Sequence, residues 1–440
     1  MNKKLAPLIE KIQSSFWFVP SLMIVLSLSI AAATIYLDVA HSQAHASAVS
    51  FLYATDVEAV RSLLGTMAAA MITVTSIAFS ITIVTLTLAS SQFGPRLMRN
   101  FMMDKGTQIV LGTFLSTFLF CIVIFCALSF KKPYAFEPGI TIAVAIAMTC
   151  FSVCMLIYFI HNVSKSIQAD VVIDDVYCEL HQNITKLFPT SSDIDDDKGK
   201  TQKETSLANE KNSTHKLTVQ AHCSGYLQLV DKESLLNLAS TSDCLIELHF
   251  SAGDFIVKNA VVATVYAEDA IEETMAATII SHIIQGSCRT PVQDPEFAIH
   301  QLVEIALRAL SPGINDPYTA ITCIDKLSAV LCNLTDKEFP QHNIHDDDEA
   351  LRLVCKALTF TAIATAAFDQ IREQSENNIA VTMKILDSLH VLATQIKSTE
   401  QRDFVLSQTE MIKQQQAAQP MSDYDRSNLV KRIKKITTNI

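Results

Sequence analysis

Charge is missing from the longest apolar stretches of this 440-residue chain. No Asp, Glu, Lys or Arg lies in Phe16–Leu37, between Arg61 and Arg96, in Ile109–Phe130 or in Ile140–Ile160. Each run is long enough to cross a hydrocarbon core of roughly 30 Å as a helix. A cleaved signal peptide is the alternative for the first run, because Ala44-His45-Ala46 resembles a small-residue cleavage site. Its apolar stretch is too long for that, so an uncleaved anchor is expected. Ion-coupled carriers and pumps usually keep an ionisable group at membrane depth, and its absence argues against that class.

Three other absences narrow the field. Basic residues are not in excess: the formal net charge is −11, whereas a general nucleic-acid binder needs a basic face to displace counterions. Eleven cysteines occur without a single C-x-x-C, which disfavours zinc ribbons and redox motifs. They read as reduced, mostly buried small hydrophobes in a cytoplasmic compartment. There is also no phosphate loop, zinc-protease motif or nucleophile elbow, so no enzyme, metal or cofactor is expected. His41 and His45 have helical ligand spacing but no further ligands nearby. His342, His345 and Asp346 to Asp348 read as a solvated polar loop.

What is present is 49% hydrophobic residues and a mean hydropathy of +0.28, with the excess in the first 162 residues. The expected fold is a mainly α membrane protein, with four transmembrane helices followed by a cytoplasmic α+β region. Lys3, Lys4 and Lys11 precede the first span, and Arg96, Arg99 and Lys105 follow the second. By the positive-inside rule both termini are cytoplasmic, although Lys131 and Lys132 lie on the opposite side. The domains expected are 1–162 for the spans, 163–188 as a helical extension of the fourth, 189–216 as a disordered acidic linker, 217–268 as a small β barrel-like module and 269–440 as a helical bundle.

In the second span Thr66, Thr73, Ser80 and Thr87 recur every seven residues, with Ser76 and Ser91 close to the same stripe. Seven residues are nearly two helical turns, so these hydroxyls share a face. Two readings compete: close helix packing, and a pore lined by hydroxyls with Ile77 and Val84 narrowing it. The span ends in Ser90-Ser91-Gln92-Phe93-Gly94-Pro95-Arg96, where Gly94 and Pro95 interrupt the helix. Phe93, Leu97 and Phe101 would then lie in the interface, with Arg96 and Arg99 facing headgroups. A gate or anion-attracting vestibule at Gly94, Pro95, Arg96 and Arg99 is the sharper alternative.

Beyond the spans, Asp193, Asp195, Asp197 and Glu204 sketch a calcium loop, but Lys198 occupies its glycine position and calcium is not expected. Tyr226–Val230, Cys244–Phe250 and Val261–Tyr266 read as strands, with a short helix at Lys232–Ala239. From Asp269 onward the pattern is helical. Asp294-Pro295 and Asp316-Pro317 should each open a helix, the carboxylate capping free amides and the proline filling the first turn. Gly313 is free to take a left-handed conformation in the corner between them. The alternative is a polar site built from Arg289, Gln293, Asp294, Arg308, Asn315 and Asp316, binding an anion or a partner loop. The tail residues Lys431, Arg432, Lys434 and Lys435 suit anionic lipid.

The stretch S-P-G-I-N-D-P-Y-T-A, with S-S-Q-F-G-P-R-L-M-R-N-F after the second span and the strand-rich passage G-D-F-I-V-K-N-A-V-V-A-T-V, resembles a bacterial membrane-protein family, domain of unknown function twenty-two fifty-four. The resemblance covers nearly the whole chain. It implies four spans and a cytoplasmic domain, and brings no catalytic residue with it. The leading expectation is an oligomeric channel or pore in the bacterial inner membrane, with the lipid bilayer and further copies of itself as partners and a cytoplasmic domain that assembles and gates it. The alternative is a non-conducting sensor or scaffold anchored by its spans.

Overall fold

Four helices in the computed structural model are long and apolar enough to cross a membrane: α1 (Phe18–His41), α2 (Val57–Phe93), α3 (Lys105–Ala127) and α4 (Ile140–Ser166). The structure describes residues 16–41, 56–97, 101, 104–129, 138–189, 215–272 and 274–440. Lys3, Lys4, Lys11, His45, Arg99, Lys131, Lys132, the calcium-like loop Asp193–Glu204 and nearly all of the acidic linker lie outside them. The chain divides into two compact units, Met1–Val172 and Ile173–Ile440.

In the first unit α3 is the central helix, packed against α1, α2 and α4. Its apolar window is 56% buried, against 22% for each of the other three. Small and hydroxylated residues make that centrality possible, because they let backbones approach closely in lipid. A Cβ added at Gly112 would stand 2.6 Å from Met23 Sδ and 3.2 Å from the Pro20 backbone. The Ser27 hydroxyl donates to the Ser116 carbonyl at 2.8 Å, and Thr117 and Ser152 share a hydrogen bond at 3.0 Å.

The first helix runs past the expected end at Leu37 and takes in Asp38, which is fully buried. The Asp38 carboxylate accepts the amides of Ile140 (2.9 Å) and Thr141 (3.0 Å), capping the start of α4. An acid therefore does lie within a spanning helix, at its end, where it satisfies amides that would otherwise be costly to leave bare. Asp104 does the same for α3, accepting from Gly106 and Thr107, and also accepts from Asn162 of α4 at 2.8 Å.

The fourth span does not continue unbroken into a polar helix. It ends at Ser166, and α5 (Ala169–Leu187) starts anew. Within the second unit α5 buries Ile173, Val176, Leu180 and Ile184, a stripe of helical period, and meets α9 (Pro317–Leu334) through Asp174–Lys326 at 2.7 Å.

The strands are β1 (His215–Gln220), β2 (Gly225–Val230), β3 (Cys244–Leu248), β4 (Phe255–Ile256), β5 (Val261–Ala267), β6 (Ile283–Gly286), β7 (Asn343–His345) and β8 (Leu351–Val354). They form an open sheet in the order β1-β5-β3-β8-β7 and a second in the order β4-β2-β6. The expected barrel-like closure is not formed among the described residues. The strands also do not stop at residue 268: β8 pairs parallel with β3, bringing residues 343–354 into the larger sheet. Around the sheets lie α6 (Lys232–Thr241) and α7 (Thr274–Ser281). The helical part comprises α8 (Pro295–Ala309), α9, α10 (Phe360–Gln374), α11 (Ile379–Ala393), α12 (Thr399–Ala417) and α13 (Asp423–Asn439).

The segment from His342 to Asp348, expected to be a solvated loop, is an edge strand and a locked turn. Asp346 accepts from Arg352 Nε at 2.6 Å and from the amides of Asp348 and Ala350. All eleven cysteines are free, but only Cys121, Cys244, Cys323 and Cys355 are buried. The expectation that most would be buried fails because an apolar spanning helix presents residues such as Cys150 and Cys154 outward. Burial pushes the Cys244 thiol up to about 11 and raises Cys323 and Cys355 as well, so these groups stay protonated at neutral pH.

Candidate functional site

The hydroxyl face of α2 is left uncovered by the described residues of its own chain. Val60, Leu64, Ala68, Met71, Thr75, Ala78, Thr85, Ala89 and Phe93 are buried, and their three- and four-residue spacing traces one side of the helix. Thr66, Thr73, Ser76, Ser80, Thr87 and Ser91 fall on the other side, and all six are exposed. Thr66, Thr73 and Thr87 donate to the carbonyls four residues back, and Ser91 to the carbonyl three back, at 2.8–2.9 Å. Their protons are thus satisfied locally while the oxygens still face outward. Ile77 and Val84 share the exposed side, at 53% and 56% exposure. The 37 residues of α2 make it about 55 Å long, well beyond the hydrocarbon thickness.

At the end of α2, Gly94 takes φ 111°, a conformation that side chains disfavour, and Pro95–Leu97 forms one 3-10 turn. Phe93 and Leu97 are buried at 4% and 1% exposure. They pack inside the chain, contrary to the expectation that they would lie in the lipid interface, because the 3-10 turn redirects the backbone after Gly94.

In the second unit the structure separates the six residues expected to form one polar site. Arg289 and Asp294 are joined: Nε and Nη2 of Arg289 donate to the two Asp294 oxygens at 2.6 and 2.8 Å. Asp294 therefore does not cap α8 with its side chain, and Pro295 alone marks that helix start. The reason is energetic, since a bidentate guanidinium pair outcompetes a neutral amide for a carboxylate that is 2% exposed. The Gln293 amide instead extends β2, accepting from the Val230 N–H at 2.9 Å and donating to its carbonyl at 3.1 Å.

Arg308 pairs with Glu304 one turn back on α8. Asp316 caps α9, accepting from the amides of Tyr318 and Thr319 and from the Thr319 hydroxyl at 2.6 Å. Those bonds, the Thr319 hydroxyl first, hold its carboxyl below the usual aspartate range. The left-handed residue of the corner is Asn315 (φ 50°), not Gly313. Arg308, Asn315 and Asp316 are therefore local structure.

Around Arg289 the structure adds residues that sequence spacing did not single out. Glu296 lies 3.5 Å from Arg289 Nη2, and burial pushes its carboxyl above the usual glutamate range while the guanidinium pulls it back. Asp254 accepts from Lys356 Nζ at 2.8 Å. Gly253 (φ +96°) passes so close that a Cβ there would meet Asp294 Oδ2 at 2.5 Å and Arg289 Nη2 at 2.8 Å. These groups line a cleft of about 460 Å³, walled by Leu248, Phe250 and Leu358. The turn S-A-G-D was the available signal, because an aspartate beside a positive-φ glycine marks a tight backbone approach.

Four apolar helices of spanning length, joined to a mixed helix and sheet unit, define a polytopic membrane protein. The chain belongs to the family described as predicted membrane protein (DUF2254), whose model matches residues 13–391. It is 31% identical over 357 residues to an uncharacterised protein of Mycobacterium bovis and to one of Mycobacterium tuberculosis, covering 80% of this chain and 67% of each relative. No solved structure matches it.

Proposed function

We propose that the chain works as a homo-oligomer in the bacterial inner membrane, with α2 helices from several copies surrounding a hydroxyl-lined path. The second unit then lies in the cytoplasm, where it assembles the copies and gates them. The observation that carries this reading is the exposed row Thr66, Thr73, Ser76, Ser80, Thr87 and Ser91, which no helix of the same chain covers among the described residues. A face meant only for lipid gains nothing from six hydroxyls, whereas a path for water or ions does. Four spans enclose no such path alone, so several copies are required.

Single-channel recordings of the purified protein in planar bilayers test the proposal. Conductance that falls when Thr73→Leu and Ser80→Leu are introduced supports it. No conductance in any condition, or currents unchanged by both substitutions, overturns it.

The second reading is a non-conducting sensor anchored by its spans, and the cleft beside Arg289 favours it. The subunit count in mild detergent separates the two: a monomer supports the sensor and removes the pore.

A further inference from the structure

The charges lining the cleft of the second unit do not balance. Its three carboxylates are each engaged by a cation: Asp294 and Glu296 by Arg289, and Asp254 by Lys356. Two more lysines line the same cleft, the exposed Lys186 from the last turn of α5 and the half-buried Lys232 from the first residue of α6. Neither forms an ion pair with a carboxylate among the described residues, where the cleft's carboxylates are held by Arg289 and Lys356. The first turns of α6, α8 and α10 also contribute to the lining, through Lys232, Pro295 and Ala362, and helix N-termini carry partial positive charge. One wall is apolar, from Leu248, Phe250 and Leu358.

We propose that this cleft binds a small organic phosphate monoester, whose dianionic head is held by Lys186 and Lys232 and whose apolar body lies against Phe250 and Leu248. The lining carries four cations against three carboxylates, a surplus of one positive charge. Among the described residues Lys186 and Lys232 are the cations with no carboxylate partner, so they are the groups placed to make the strong, charge-assisted bonds to an anion. The volume of about 460 Å³ falls within the usual span of small-molecule sites. The site stands whether or not the chain conducts, so failure of the pore would leave it intact. Under the gating reading it supplies the ligand that the second unit senses.

The test uses the full chain in detergent and phenyl phosphate as the probe, with phenol and benzylamine as comparators. Isothermal titration calorimetry should show phenyl phosphate binding, with affinity falling at least about tenfold in a Lys186→Gln, Lys232→Gln double variant. Phenol and benzylamine should not bind. In parallel, lysine acylation read by mass spectrometry should show both lysines protected by phenyl phosphate in the parent protein. Absence of phenyl phosphate binding, affinity unchanged in the double variant, or preferential binding of benzylamine overturns the proposal. Should the double variant fail to fold, the parent's acylation pattern decides: unprotected lysines overturn the site.

Discussion

Replacing Gly253 with alanine tests the geometry on which the cleft depends. Two costs can be worked from the structure. The first is backbone strain, since φ +96° is a region that side chains rarely adopt, and it amounts to about 1–3 kcal/mol. The second is steric. The new methyl would sit 2.5 Å from Asp294 Oδ2, where ordinary contact begins at 3.4 Å, so the carboxylate must retreat by 0.9 Å. A buried carboxylate cannot do that and keep both bonds to Arg289, and losing one charged hydrogen bond costs about 1.5–3 kcal/mol. The sum is about 4 kcal/mol, large for one methyl group.

Pulse proteolysis of the detergent-solubilised protein across a denaturant series measures this, because the second unit has its own core and exposes cleavage sites on unfolding. A double-mutant cycle isolates the steric part. With Asp294→Ala as background the nearer obstacle is gone, the Arg289 guanidinium at 2.8 Å is the end of a flexible side chain released from its partner, and Gly253→Ala should cost little beyond the backbone strain. A coupling of about 2 kcal/mol is therefore expected between the two positions. A cost for Gly253→Ala below about 1 kcal/mol, or additivity of the two substitutions, would refute the close approach of Gly253 to Asp294.

In the membrane unit, Asp38→Ala should destabilise by about 2 kcal/mol by baring the first amides of α4, read as easier unfolding in sodium dodecyl sulfate. A cycle between Thr117→Val and Ser152→Ala should give a coupling near 0.6 kcal/mol, small because each hydroxyl finds other partners when released. At the α8–α9 corner, Asn315→Val should cost about 1 kcal/mol while Asn315→Gly is neutral; equal effects would mean that the left-handed conformation is not kept. Asp316 carries a pH signature. Its carboxyl is lowered in the folded chain, so its contribution is fully present above the ordinary aspartate range and is lost as pH falls through the lowered value. The parent should therefore lose more stability on acidification than Asp316→Asn, measured by thermal melting at a series of acid pH values.

The spans were legible because uncharged runs of twenty or more residues have no other use in a chain this polar elsewhere. The start of α9 was legible for a local reason, since Asp316-Pro317 needs only its next three residues to complete the cap. Asp294-Pro295 carries the same local pattern, yet its carboxylate goes to Arg289, five residues back, in a pair roofed by the turn at Gly253. Spacing cannot rank two local partners when tertiary burial decides between them. The strands at Asn343–His345 and Leu351–Val354 were missed for a related reason, because β8 finds its partner β3 about a hundred residues upstream.

The centrality of α3 was not legible either. In lipid every face of a spanning helix is apolar, so the periodicity that marks a buried face in water is flattened. What distinguishes α3 is instead its load of small and hydroxylated residues, including Gly112, Ser116 and Thr117, which allow its neighbours in from three sides. The same composition on α2 has a split outcome: Thr75 and Thr85 are buried, whereas Thr66, Thr73, Ser76, Ser80, Thr87 and Ser91 are left exposed by the described residues of the chain. Hydroxyls that the chain itself covers act as packing, and those it leaves uncovered must meet lipid, water or another copy. That distinction depends on which face the third span occupies, and it makes the outward row of α2 the place to look for what the membrane unit does.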